Sequence, residues 1–179
     1  MTEVIVYLTV WLALVCFPAA AVGRATEDRQ LGRWARRVWS FGCLLFGLHV
    51  VSAFGVFYQW SHAFALAETA RQTFEATGFE SGSGLYLNYL FALLWLIETV
   101  WWWWRPVSYR RRSLGIFLAV QGFFLFMIVN GAVIFVDGPR RWLGVVVTTM
   151  AVIALGVALR RERTPRREKT LRREQGRSV

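Results

Sequence analysis

Five apolar blocks of about 18 to 23 residues each occupy most of the chain, at 4–22, 38–58, 85–104, 114–136 and 142–159. An α-helix rises 1.5 Å per residue, so roughly 20 apolar residues cross a hydrocarbon core about 30 Å thick. All five blocks meet that length. They predict an all-α, polytopic membrane protein with five transmembrane helices in one bundle, a single domain over residues 1–159. Composition agrees: 56% of the residues are hydrophobic and 18% charged, against roughly 25% charged in soluble domains. A soluble globular domain and a disordered chain are excluded, and two cysteines cannot build a disulfide scaffold.

Charge placement sets the expected topology. Of the 21 Lys and Arg, 18 fall in three segments: 24–37, 105–112 and 160–177. Five spans put these three segments on one side. By the positive-inside rule that side is cytoplasmic. The N-terminus is then outside and the C-terminus inside, in a multi-pass protein of the cell (inner, cytoplasmic) membrane. Arg110, Arg111, Arg112, Arg160, Arg161 and Arg163 are expected to meet anionic inner-leaflet headgroups, at about 1 kcal/mol per residue near the surface. No nucleic acid is expected. The basic tail 160–179 is expected to be disordered or to lie on the leaflet. The first block is preceded by Glu3 and by no Lys or Arg, which argues against a cleaved signal peptide.

Between the second and third blocks, residues 61–77 predict an amphipathic outer helix. Ser61 is its N-cap and Gly78 its stop. Two readings stay open for it: an interfacial helix that caps the bundle, or a lid hinged on the glycines of 80–84.

The chain has ten tryptophans. Trp34, Trp39 and the run 101–104 mark the expected inner boundary, and Trp60 and Trp142 the outer one, where indoles prefer to sit. Trp11 and Trp95 fall nearer mid-membrane. In length, span number and tryptophan content the chain is similar to the tryptophan-rich sensory (translocator) proteins. Those bind porphyrins and sterol-like ligands in a five-helix bundle. Their proline- and tryptophan-rich signatures are absent here, where the prolines are Pro18, Pro106, Pro139 and Pro165, so no residue roles are carried over.

Polar side chains within spans are costly and therefore candidates for function. Glu98 is the single carboxylate within a block. Gln121 lies at nearly the same depth, which predicts a hydrogen bond between them. Glu98 is then either protonated and satisfied, or ionised and paired. A second layer of Ser52, Thr148, Asn130 and Thr9, with His49 just deeper, could line a shallow outer cavity. His49 is the weak candidate for a metal or haem ligand; no metal motif surrounds it. Cys16 and Cys43 read as small apolar packers. Cys43 and Gly47, Gly144 and Thr148, and Ala154 and Ala158 are small-residue pairs that suit close helix contacts or a homo-oligomer.

No catalytic motif emerges, and the chain leans away from an enzyme. The expected function is an accessory or structural subunit of a membrane complex, or a binder of a lipid-like or apolar ligand, with no cofactor. The alternatives are a proton- or ion-coupled transporter or channel subunit using Glu98, and a haem- or metal-binding redox component using His49. On the leading reading, Glu98→Gln is expected to leave assembly nearly intact.

Overall fold

A computed structural model describes residues 2–24, 28–136 and 138–175. Every regular element among them is helical: α1 (Thr2–Arg24), α2 (Arg29–Val56), α3 (His62–Thr77), α4 (Gly84–Trp104), α5 (Pro106–Arg110), α6 (Leu114–Val129) and α7 (Arg140–Gln175). A π-helical segment, Asn130–Ile134, continues α6. Five helical stretches are long and apolar enough to cross a membrane: Glu3–Arg24, Gln30–Val56, Gly84–Trp104, Leu114–Ile134 and Arg140–Arg160. The chain is therefore a helical, multi-pass membrane protein.

Local chemistry sets the helix ends. α2 begins nine residues before the predicted span, because the Asp28 carboxylate accepts from the Gln30 and Leu31 amides at 2.6 and 3.0 Å. The arginine-rich segment before the second block is thus helical. α3 is the predicted outer-segment helix. Ser61 Oγ accepts from the Phe64 amide at 3.2 Å, and Gly78 closes the helix at φ 78°. α6 opens the same way, with Ser113 Oγ accepting from the Ile116 amide at 3.2 Å. α7 runs past the expected end of the fifth span to Gln175. The tail, expected to be disordered or to lie on the leaflet, is helical as far as it is described, in keeping with its Arg, Glu, Lys and Leu content. Residues 176–179 lie outside the described residues.

The helices form two recognisable ends. At one, Arg24 donates to the Tyr109 hydroxyl, Arg36 to the Trp102 carbonyl and the Trp103 indole to Ser40 Oγ. At the other, the Arg140 guanidinium lies 4.8 Å from the Tyr7 ring centre, and α3 packs on α4. The first is called the arginine end below.

Glycines allow the closest crossings. A Cβ on Gly42 would sit 2.8 Å from Cys16 Cβ and 2.9 Å from the Trp95 ring, so α1 and α4 both crowd α2 there. Gly23 and Ala35 repeat this closeness nearer the arginine end, where an added Cβ would sit 2.8 Å from Ala35 Cβ. Gly47, which the sequence pairs with Cys43 for this purpose, faces open space. On α7, Gly144 lies directly against the Ala132 carbonyl of the π segment, leaving no room for a side chain.

The core is aromatic. Trp39, Trp95, Phe17, Phe91 and Phe124 are all buried and interlock at centroid distances of 4.7–5.8 Å. Trp39, which the sequence suggests as a boundary anchor, is fully buried in this cluster and does not face lipid. Trp102 is likewise buried, although its neighbours Trp103 and Trp104 are exposed. A run of four residues covers a full helical turn, so one of them must face the core. Trp34, Trp60 and Trp142 are exposed as anchors would be.

Candidate functional site

Glu98 sits on α4 with only 2% of its surface exposed. A carboxylate so buried needs a partner, and matching depth in the sequence points to Gln121. The partner is Arg112 instead. Its Nη1 donates to Glu98 Oε1 at 2.8 Å and to Oε2 at 2.6 Å. The Tyr109 hydroxyl donates to Oε2 at 2.8 Å. Arg24, from the end of α1, donates in turn to the Tyr109 hydroxyl at 2.8 Å. Three segments of the chain are thus joined through one carboxylate.

α5 makes this arrangement. Arg105 breaks the helical path of α4 at φ −133° and ψ 64°, and Pro106 starts α5 one residue later. Proline suits the first turn of a helix because no amide hydrogen is needed there. The five-residue helix turns the chain back over the bundle and brings Tyr109 and Arg112 inward. Arg110 and Arg111 stay exposed. Arg112, expected among the headgroup-binding arginines, is therefore an internal residue: an exposed arginine would leave Glu98 uncompensated, and burying one stranded charge costs several kcal/mol.

Aromatic faces complete the network. Tyr109 stacks on Trp102 at 5.1 Å and 12°. The Arg112 guanidinium lies 4.3 Å from the Tyr109 ring centre and 5.0 Å from that of Phe117. The Arg24 guanidinium lies 4.8 Å from Trp39 and 5.1 Å from Trp102. Such cation–π contacts reach about 2 kcal/mol when desolvated. Burial pushes the Tyr109 hydroxyl up to about 12, with the Glu98 carboxylate adding to the rise.

The other candidates do not gather around Glu98. Gln121 is buried on α6, and its Nε2 has no hydrogen-bond partner. His49 Nδ1 donates to the Val6 carbonyl at 3.0 Å and ties α2 to α1, so Nε2 alone could serve a ligand. Among the described residues, no three His, Cys, Asp or Glu side chains come together as a metal would require. Asn130 Nδ2 donates to the Phe126 carbonyl at 2.7 Å, within its own helix, at the point where α6 widens into the π segment. Thr9 likewise bonds back to Ile5 and Val6. Ser52 and Thr148 are half-buried, and Thr148 Oγ1 has no partner. These side chains serve their own helices or stand singly, and no pocket among the best formed is lined by them.

At the α3 end, Arg71 bonds to Glu68 at 2.6 and 2.9 Å and also to Glu75. The hydrogen bonds from Arg71 hold the Glu68 carboxyl down at about 2. Gly82 packs against Leu66, so the glycine segment that the lid reading takes as a hinge rests on α3. Cys16 and Cys43 are free and half-buried.

Two grooves flank α5 at the arginine end. One, of about 730 Å³, is lined by Trp101, Trp104, Arg105, Arg111, Arg112 and Ile116 among others. The second, of about 390 Å³, is lined by Arg33, Arg36, Trp102 and Arg110. Pro106 and Val107 border both. Arg160 is exposed; the side chains of Arg161 and Arg163 lie outside the described residues. No family model, no curated protein and no solved structure matches the chain.

Proposed function

We propose that this protein is a non-catalytic membrane component, an accessory subunit or lipid binder, whose arginine end faces the cytoplasm and holds anionic inner-leaflet headgroups. The observation that carries this reading is the contrast between the two kinds of arginine at that end. Arg112 is committed to Glu98 inside the bundle. Arg33, Arg105, Arg110 and Arg111 are exposed, and none of them is paired with a carboxylate among the described residues. They stand beside exposed Trp34, Trp103 and Trp104, the side chains that favour the headgroup zone.

The same geometry weighs against a transport role for Glu98. A carboxylate that carries protons or cations needs a polar route to it. Glu98 is enclosed by Arg112, Tyr109 and aromatic rings, and acts in this reading as the clamp that fastens α5 to the bundle. The test is lipid retention. The full chain, purified in mild detergent, is expected to keep phosphatidylglycerol in preference to phosphatidylcholine. Joint replacement of Arg105, Arg110 and Arg111 by alanine should remove that preference while the far-ultraviolet helix signal is unchanged. Equal retention of both lipids by the unaltered chain would refute the proposal.

A further inference from the structure

We infer that the two grooves beside α5 form one binding site for a lipid whose headgroup carries two phosphates, one phosphate in each groove. This rests on the proposed contact with anionic lipid and names the lipid class. The two grooves share Pro106 and Val107 as a common border. Exposed arginines line each: Arg105 and Arg111 in the larger, with buried Arg112 beneath them, and Arg33 and Arg110 in the smaller, with half-buried Arg36. Each also has an indole wall, from Trp101 and Trp104 in one and Trp102 in the other. Basic pockets between membrane helices on the cytoplasmic side suit headgroups with more than one phosphate.

Built features hold the arginines in place. Arg110 reaches the smaller groove by lying against Gly32; a Cβ there would stand 2.7 Å from its Nη2. Arg36 is fixed over the Trp103 ring at 4.1 Å, and its Nη1 lies 3.4 Å from the Trp102 carbonyl. Beneath the larger groove, Arg112 is committed to Glu98 through Nη1, so Arg105 and Arg111 are the arginines this groove presents. Consecutive residues Arg110 and Arg111 serve different grooves. A single phosphate engages one set; a headgroup with two linked phosphates engages both. Its second contact is then intramolecular and gains from effective concentration.

The experiment titrates the full chain in mild detergent with tetraoleoyl diphosphatidylglycerol, and separately with dioleoyl phosphatidylglycerol at equal total phosphate. Bound lipid is counted by native mass spectrometry. The expected result is one diphosphate lipid per chain, held at least about tenfold more tightly than the monophosphate lipid. Arg110→Ala and Arg111→Ala should each abolish that preference, and Arg141→Gln at the opposite end should not. Inorganic phosphate should not compete. Equal affinity for the two lipids, or a preference that survives both alanine variants, overturns the inference. If the lipids bind alike and Arg110→Ala and Arg111→Ala weaken both, the two-groove site fails and headgroup binding stands. If neither binds better than phosphatidylcholine, both fail together.

Discussion

Removing one partner of the Glu98–Arg112 pair should cost far more than removing both. The pair is nearly sealed from solvent, with side-chain exposures of 2% and 3%. Breaking a buried pair strands a charge and typically costs about 3–5 kcal/mol, whereas replacing both members by uncharged groups of similar size is often near neutral. Arg112→Met leaves the Glu98 carboxylate with only the Tyr109 hydroxyl. Glu98→Gln leaves the guanidinium of Arg112 without its counter-charge. In the double variant the new glutamine amide can still accept from Tyr109, and the methionine fills the space of the arginine stem. Thermal unfolding in mild detergent, followed by tryptophan fluorescence, reads the difference. At roughly 2–4 °C per kcal/mol for a chain of this size, each single variant should melt about 6–20 °C lower. The double should regain most of that loss. Single variants within about 1 kcal/mol of the parent, or a double no better than the worse single, would refute the clamp. The sequence-based expectation that Glu98→Gln leaves assembly intact is replaced by this one, because a buried cation depends on that carboxylate.

Tyr109→Phe keeps the stacking on Trp102 but removes the hydroxyl between Glu98 and Arg24; melting should reveal a loss of about 1.5–3 kcal/mol, as for hydrogen bonds to charged groups. The hydroxyl is raised from 10 to about 12 in the folded chain, so its contribution is intact below pH 10 and is lost as pH rises through about 12. A stability loss on the order of 2–3 kcal/mol across that window, absent in Tyr109→Phe, is the expected titration. Gly144→Val should destabilise by at least about 1–3 kcal/mol through overpacking against Ala132, measured by melting, while Gly47→Ala, with no atom near its added methyl, should be neutral or stabilising. Glu68→Gln breaks a solvent-exposed pair, removes the titrating carboxyl and should shift stability by less than about 1 kcal/mol in thermal melting.

The spans and the α3 caps are legible in the sequence because they follow from local rules. Apolar length gives a crossing helix, and Ser61 and Gly78 bracket α3 through their own backbone preferences. Glu98 is legible as the interior acid. Its partner is not. Arg110, Arg111 and Arg112 read as one uniform basic run, and matching depth points to Gln121. What decides between them is the direction α5 takes after Pro106, which depends on the packing of Tyr109 against Trp101 and Trp102. One signal is available: a buried acid calls for a base, and three consecutive arginines on a turning chain cannot all face the headgroups. Trp39 misleads for a similar reason, since an indole near a charged segment resembles an anchor until its helix face is known. The π segment leaves no trace in the sequence, because α6, apolar but for Gln121, shows no periodic face whose register a widened turn would shift.

The arginine end meets inner-leaflet headgroups only if it faces the cytoplasm. The most direct measurement of that is cysteine labelling in intact cells, in a background with Cys16 and Cys43 replaced by alanine. Ser81→Cys, beside α3, should react with a membrane-impermeant maleimide in intact cells. Ser108→Cys, on exposed α5, should react only after the membrane is opened. Labelling of Ser108→Cys from outside, with Ser81→Cys protected, would contradict the account.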